Sequence, residues 1–472
     1  MSDAISFDTF KLAINGWLED ASGSFAVVNP ATEAVIAQAP DCSAEQLDKA
    51  VAAARKAFRS WKVVPLAERA EMLRAAAARL TEYLEPLTAL LTYEHGKPLA
   101  DARAEIQNAA RWFNAFADID LPVERRPEPN GRVAEIRRVP VGVVGAIAPW
   151  NFPVSLAAWK LAPALLAGNT VVLKPSPFTP LTTLKIGELL LDLFPAGVLN
   201  TIAGSDHLGP LMSGHPDIDK IAFTGSTATG KAVMRGAAGT LKRLTLELGG
   251  NDPAIVLPDA DVDAVAERLF WGAFANAGQI CVAAKRVYVH DSIYDRFAAK
   301  MAELARNNPP APGDAAGTRI GPVQNRQQFE RVKAMIEEAR NTGLRLISDP
   351  GAMTGPGYFI APTIVDNPPE DAPVVKEEPF GPLLPLLRYT DIADAIARAN
   401  DSEYGLASSV WSADPDKAAE VGRQLEAGTV WINTILGITP SLPFGGHKQS
   451  GIGVENSEAG LHEYTNLQVI IR

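Results

Sequence analysis

Two residues in this chain have types and settings suited to covalent chemistry on a carbonyl: a cysteine just behind a glycine and a glutamate just ahead of two. The cysteine is Cys281, in Ala275-Asn-Ala-Gly-Gln-Ile-Cys-Val282. Attack on a carbonyl carbon needs a thiolate, and a thiolate needs space and donors nearby. Gly278 permits close backbone packing and Gln279 brings a polar approach. A lone cysteine is by default a small buried hydrophobe, and that is the reading for Cys42, in Pro40-Asp-Cys-Ser43 just ahead of a helix cap. The glutamate is Glu247, in Arg243-Leu-Thr-Leu-Glu-Leu-Gly-Gly250. Leu244 and Leu246 alternate with Thr245 and Glu247 as on a strand. The carboxylate therefore stands at a strand's C-terminal end, where α/β sheets bind ligands, and Gly249-Gly250 lets other atoms approach. The bland alternative is a surface glutamate before a turn.

Three further segments could complete a site. Gly145-Ala-Ile-Ala-Pro-Trp-Asn-Phe-Pro153 ends a strand in a turn holding Asn151, whose amide can donate to a developing oxyanion. Taken alone it is a structural turn. Lys174-Pro-Ser-Pro177 follows another strand, where an adenosine ribose would be met. Phe223-Thr-Gly-Ser-Thr-Ala-Thr-Gly-Lys231 runs from strand to helix, with Gly225, Ser226 and Gly230 resembling a phosphate cradle. It also fits part of a nucleoside-triphosphate loop, but Ala232 sits where that loop needs a hydroxyl for Mg²⁺, which discounts such a site. Glu377-Glu-Pro-Phe-Gly-Pro382 and Pro443-Phe-Gly-Gly-His-Lys-Gln-Ser-Gly451 are Gly/Pro-rich loops with aromatic residues, each by itself a tight turn.

The elements that must position these residues follow from periodicity. Ser43-Ala-Glu-Gln46 reads as a capping box opening a helix over Ala44–Trp61, with Leu47, Ala50, Val51, Ala54 and Phe58 on one face. Pro65 starts a second helix reaching about Leu84, and a third spans Leu99–Ala117. Leu121–Asn130 is rich in Pro and charge, and Arg132–Arg138 alternates as an exposed strand does. Strands are then expected at Val143–Ala148, Thr170–Lys174, Asn200–Ala203, Lys220–Phe223 and Arg243–Glu247, separated by helices at Leu156–Ala167, Leu181–Leu191, Leu208–His215 and Thr229–Ala238. That rhythm indicates a doubly wound parallel sheet. A second alternating block follows Gly250, with strands at Arg286–His290, Arg345–Ser348 and Thr429–Asn433. The apolar Leu467–Ile471 could add a strand to another subunit.

At 472 residues the chain exceeds what one core usually serves. With 47% hydrophobic and 21% charged residues it is globular, not disordered. A net charge of −11 without a basic run argues against nucleic-acid or anionic-membrane partners. Met1–Gly23 has no basic start followed by an apolar core, and apolar stretches break before membrane-spanning length. Two cysteines form no disulfide framework and fit a reducing cytoplasm; the six histidines show no ligand spacing, so no metal is expected.

In order, and at close to the same spacings, Asn151, Lys174, Gly225–Gly230, Glu247, Cys281, Glu378-Pro-Phe380 and the Pro443–Gly451 loop resemble the aldehyde dehydrogenase superfamily over nearly the whole chain. The resemblance implies an α/β fold: a Rossmann-type cofactor domain at 1–117 and 141–249, an α/β catalytic domain at 250–440, and a small β oligomerisation extension at 118–140 and 441–472. It implies a homodimer or homotetramer acting on a small aldehyde. Cys281 matches the nucleophile, Glu247 the general base, Asn151 with the Cys281 N–H the oxyanion hole, and Lys160 a lysine that assists proton movement. The cofactor would be held by Ala148, Pro149, Trp150, Lys174, Ser176, Pro177, Gly209, Gly225, Ser226, Leu248, Gly249, Glu378 and Phe380.

Three departures from the family pattern matter. Pro177 replaces a glutamate that many NAD-preferring relatives use on the adenosine ribose, so NAD is expected with NADP as the alternative. Gly204-Ser-Asp206 replaces a more usual G-x-G, and Asp206 beside a phosphate would be unfavourable unless it points away. Val454-Glu-Asn456 replaces Arg-Glu, a change expected to bear on packing more than chemistry. Phe152 and Trp159 match tunnel positions, and Leu436 and Ile438 make the tail-anchoring loop apolar, which suits an uncharged aliphatic or aromatic aldehyde. Three rivals remain on sequence alone, one of them a non-catalytic binding or structural protein on this scaffold, against which the intact Cys281, Glu247 and Asn151 set argues. A coenzyme-A-acylating semialdehyde dehydrogenase would generally lack the Glu247 carboxylate. A cysteine-dependent esterase would need a histidine paired with Cys281.

Overall fold

In the computed structural model, which describes residues 6–349, 351 and 355–472, two parallel-cored sheets carry the site between them. Met1–Ile5, the start of the expected cofactor domain, lie outside the described residues. The first sheet has eight strands, in the order Trp17–Glu19, Leu12–Ile14, Leu199–Thr201, Thr170–Lys174, Val143–Ile147, Lys220–Thr224, Arg243–Glu247, Gly451–Ile452. Its five central strands are parallel; Leu12–Ile14 and Gly451–Ile452 join the two sides antiparallel. Side-chain alternation divides the core. Val144, Ala146, Val171 and Leu173 face the helices Leu66–Glu82, Leu99–Ala117 and Pro153–Leu166. Val143, Ile147, Val172 and Ile221 face Ala44–Trp61 and the shorter helices after the sheet's later crossovers. Burial on both faces explains why these strands read as continuous apolar runs.

The second sheet has seven strands, in the order Leu346–Ser348, Thr363–Asp366, Leu383–Tyr389, Arg286–His290, Pro253–Val256, Ala407–Trp411, Thr429–Ile432. Only its first pair is antiparallel. A third, three-stranded antiparallel sheet pairs Thr465–Ile471 with Val133–Pro140 and that strand with Glu124–Pro127. The C-terminal strand, expected as a candidate for another subunit, is thus paired within its own chain, from Thr465 opposite Pro140 to Ile471 opposite Ala134. Within 441–472, Gly451–Ile452 instead extends the first sheet, and the helix Ser457–His462 packs on Pro153–Leu166.

The capping box forms as expected: Ser43 Oγ accepts from Gln46 N–H, and Gln46 Oε1 accepts from Ser43 N–H. Among the helices before the first parallel strand one was not foreseen, Leu84–His95. It is buried through Leu87, Thr88, Leu91, Thr92, Glu94 and His95, so it shows no clean apolar face, and Pro86 in its first turn looks like a break. Gly96 ends it at φ 86°, where a Cβ would lie 2.6 Å from both Pro30 Cγ and Pro322 Cγ.

Candidate active site

Four adjacent parallel strands end on the same side, and the segment following each one lines a single cleft of about 750 Å³. Val143–Ile147 leads to Ala148, Pro149 and Trp150; Thr170–Lys174 to Ser176 and Pro177; Lys220–Thr224 to Gly225 and Ser226; Arg243–Glu247 to Leu248 and Gly249. Gly209 lies in the helix Leu208–Gly214, and Glu378 and Phe380 reach in from the second sheet's side. All thirteen positions assigned to the cofactor by resemblance therefore border one cleft, together with Asn151 and Cys281. The cleft has the size of a dinucleotide site. A Cβ on Gly209 would project into open space with nothing within 4 Å, so the wall there is bare backbone that a ligand can approach. Gly225 is closed in instead, its added Cβ only 2.5 Å from the Phe223 ring. Ser226 caps the helix Thr227–Ala237 by accepting from Thr229 N–H. Trp150 and Phe380 meet edge to face at 5.3 Å.

Lys174 is buried, and burial lowers its ammonium pKa to about 8 against the opposing pull of Asp206 and Asp41. Asp206 is exposed and borders the cleft together with Lys174 and Ser176. Asp41 fixes the turn that presents it by accepting from Ser205 N–H at 3.0 Å.

The cysteine sits in a turn that no periodicity could reveal. Asn276, Ala277 and Gly278 run consecutively in left-handed conformation, at φ 51°, 55° and 72°. Two of these are non-glycine residues, so the surroundings must hold the strain. Gln279 does much of this, donating from Nε2 to Asn276 O at 2.8 Å and accepting from Gln324 N–H at 2.8 Å. Gly278 is required outright, since a Cβ would lie 2.3 Å from Gly381 O. Burial pushes the Cys281 thiol up to about 12; Lys285 opposes this, while Glu247, Asp252 and Glu378 add to it. Among the described residues the hydrogen-bonded histidines His207, His215 and His290 pair with groups other than Cys281, where a cysteine esterase would need such a pair. Cys42 is fully buried, as its structural reading requires.

Glu247 ends its strand beside Thr224 on one side and Gly451 on the other. Neither carboxylate oxygen has a hydrogen-bond partner among the described residues. Desolvation, with Glu455 nearby, holds its carboxyl well above the ordinary range, opposed by Lys160. Lys160 is fully buried, donating to Thr224 Oγ1 at 2.8 Å and to Glu455 Oε1 at 3.0 Å. Glu455 is thus a buried charge within the electrostatic reach of Glu247, while its neighbour Asn456 packs, its Oδ1 accepting from Trp112 Nε1 at 2.8 Å.

Asn151 Nδ2 donates to Gln279 O at 3.0 Å, which ties it to the cysteine turn. Its own carbonyl accepts from Lys97 Nζ at 3.0 Å. Lys97 is ion-paired with Glu105, both buried, and Glu105 also accepts from Val154 N–H at 2.9 Å and Ser155 N–H at 3.2 Å. A carboxylate at that helix start complements its dipole. Truncating Glu105 would leave a buried ammonium and two N–H groups unpaired. Glu105→Ala is therefore expected to destabilise the fold by about 3–5 kcal/mol, read from chemical denaturation midpoints. Full stability in that variant would contradict the role of the pair.

Phe152, Trp159, Leu436 and Ile438 belong to one apolar cluster that also touches Cys281. Trp159 stacks on Trp112 at 5.4 Å and meets Phe444 edge to face at 5.7 Å. Sequence reasoning missed Trp112, Lys97, Glu105 and Lys285, and quoted Phe444 only as part of a loop. Lys285 had a visible signal, a charge inside the apolar run Val282–Val289; the others become neighbours only through folding. Among the described residues there is no cluster able to hold a metal ion, and no helix is long and apolar enough to cross a membrane.

Comparison with known proteins gives one consistent result. The sequence model of the Aldehyde dehydrogenase family matches residues 17–470. The mitochondrial aldehyde dehydrogenase of Leishmania tarentolae is 40% identical over 98% of this chain and 94% of its own length. Retinaldehyde dehydrogenase 3 of Mus musculus is 40% identical over 97% of this chain and 91% of its own. Betaine aldehyde dehydrogenase of Staphylococcus aureus, solved with NAD⁺, superposes with a TM-score of 0.94 at 35% identity, covering 98% of this chain and 94% of that one.

Proposed function

From the premise that the chain belongs to the aldehyde dehydrogenase family, we propose that it converts an uncharged aldehyde to its acid with NAD, through Cys281, Glu247, Asn151 and Lys160. Oxidation of an aldehyde to a carboxylic acid with a nicotinamide cofactor is the family's activity and this enzyme's. The observation that carries the residue assignment is the convergence of Cys281, Asn151 and the thirteen assigned positions on one cleft.

In this mechanism the Cys281 thiolate adds to the carbonyl carbon, and Asn151 Nδ2 with the Cys281 N–H donate to the oxygen that becomes negative. When bound, the nicotinamide accepts the aldehyde hydrogen as hydride. The two electrons of the C–H bond leave with it, the oxyanion re-forms its C=O bond, and Cys281 carries a thioester. Glu247 then takes a proton from water, the water oxygen bonds to the acyl carbon, and the Cys281 sulfur leaves as thiolate. Lys160 and Glu455 supply buried charged groups beside Thr224 along which that proton can be held.

NAD is favoured because Asp206 sets a carboxylate on the cleft wall near Lys174, opposing a 2′-phosphate. Pro177 borders the same region. Pro177→Glu adds a second carboxylate and is expected to raise the KM for NADP. The NAD preference in kcat/KM should grow by about tenfold, equivalent to about 1–2 kcal/mol after screening. Measuring both cofactors in both proteins at one ionic strength checks it; an unchanged ratio would mean that residue 177 does not face the ribose.

The apolar cluster of Trp159, Phe444, Phe152, Leu436 and Ile438 that touches Cys281 supports an uncharged aliphatic or aromatic substrate. A homodimer or homotetramer is supported by the exposed apolar side chains of the C-terminal strand, where Leu467 and Ile471 are 63% and 58% accessible. We also propose the division into a cofactor domain, a catalytic domain and a β extension, and a cytoplasmic setting suited to two free cysteines. Reduced-cofactor absorbance across a panel of charged and uncharged aldehydes tests the substrate class. A preference for a charged aldehyde would overturn it.

A further inference from the structure

One ammonium joins the two halves of the site. Lys285 is buried, and its backbone N–H is fixed to Asp252 O at 3.0 Å, one residue before the strand Arg286–His290. Its Nζ donates to Cys281 O at 2.7 Å and to Ile280 O at 2.8 Å, and is ion-paired with a Glu378 carboxylate oxygen at 2.8 Å. Two of its three N–H donors are thus spent on carbonyls of the cysteine turn, and its charge is paired with the Glu378 carboxylate. Glu378 Oε1 also accepts from Gly250 N–H at 3.3 Å. Its other oxygen comes so close to Gly249 that a Cβ there would lie 2.5 Å away. Three separate segments thus meet around this ion pair: the turn that carries the cysteine on Nζ, the glycine pair after Glu247 on the Glu378 carboxylate, and the loop that carries Glu378 and Phe380.

We propose that Lys285 is the positioning residue that holds the nucleophile turn and the cleft carboxylate Glu378 in one frame, and that it is the cation setting the reactivity of Cys281. The proposal rests on the reading of Cys281 as nucleophile and of Glu378 as a cofactor contact. Four charged groups face the thiol: Lys285 favours its ionised form, and Glu247, Asp252 and Glu378 oppose it. Anchoring by two backbone carbonyls keeps the positive charge at a fixed place beside the turn, and Glu378 partly neutralises it. Removing the cation and removing its anionic partner should therefore move Cys281 in opposite directions.

The test is the rate of iodoacetamide alkylation of Cys281 as a function of pH, with the modified residue identified by mass spectrometry and NAD affinity measured in parallel by fluorescence titration. Lys285→Met is expected to shift the alkylation profile upward by about one pH unit, with about tenfold slower alkylation below its midpoint. It should also weaken NAD binding severalfold. Lys285→Arg should restore part of both effects, because it keeps the charge. Glu378→Gln should shift the alkylation profile the other way. An unchanged profile in Lys285→Met would overturn the proposal, as would weakened NAD binding alone, which would make Lys285 a support for Glu378 only. If Lys285→Met does not fold, Glu378→Gln decides: faster alkylation supports the proposal and an unchanged rate overturns it. Alkylation of Cys281 that leaves turnover intact would instead overturn the nucleophile assignment itself, a separate result.

Discussion

Cys281→Ala is expected to abolish aldehyde oxidation while leaving fold and dinucleotide binding intact. The thiol supplies the covalent bond from which hydride departs, and without it the aldehyde stays trigonal. Loss of a nucleophile that acts as a unit with its partners typically costs on the order of 10³-fold or more in turnover. Cys281 lies at one border of the cofactor cleft, and its side chain takes no part in the hydrogen bonds that hold the turn, which run through Asn276, Gln279 and Gln324. Thermal melting and NAD titration should therefore match the wild type. The decisive measurement is the pre-steady-state burst of reduced cofactor, which should vanish. Turnover of more than a few per cent would remove Cys281 from the role of nucleophile.

Glu247→Gln should separate the two halves of the reaction. Acylation and a single burst of reduced cofactor should survive, because neither needs water activated. Deacylation should slow by about 10²–10⁴-fold, the usual contribution of a general base. Mass spectrometry should then find an acyl adduct on Cys281. Glutamine keeps the shape of a side chain whose oxygens bond to no other group among the described residues, so little stability should be lost. A related pH effect follows in the wild type. Burial and Glu455 hold the Glu247 carboxyl well above the ordinary carboxylate range, and a base works only when ionised. Deacylation should consequently rise with pH through a midpoint above that of a free glutamate, while the burst amplitude stays constant. Wild-type steady turnover in Glu247→Gln, without an adduct, would contradict the assignment.

What the sequence determined by itself is local or periodic. The capping box of Ser43 and Gln46, the helix Ala44–Trp61 and the strand Arg243–Glu247 lie where period and cap chemistry put them. Cys281, Glu247 and Asn151 stood out because each is a reactive type next to glycine or proline, and their order along the chain carried the family resemblance. Tertiary structure decided the rest. Leu84–His95 was illegible because its buried side carries the polar Thr88, Thr92, Glu94 and His95 while its exposed stripe is Glu85, Ala89 and Tyr93, so polarity does not mark its period. The interior strands Pro253–Val256, Leu383–Tyr389 and Ala407–Trp411 are buried on both faces, so they lack the apolar–polar alternation that marks a half-exposed strand. The electrostatics of the site came only from folding. Lys160 meets Glu455 across 295 positions, and Lys97 supports the Asn151 carbonyl from 54 positions away. A charge in a sequence is by default solvated. Only burial turns Lys97, Lys160, Lys285 and Glu455 into groups that must find partners, and the closing of the two sheets onto one cleft makes those partners the residues that do the chemistry.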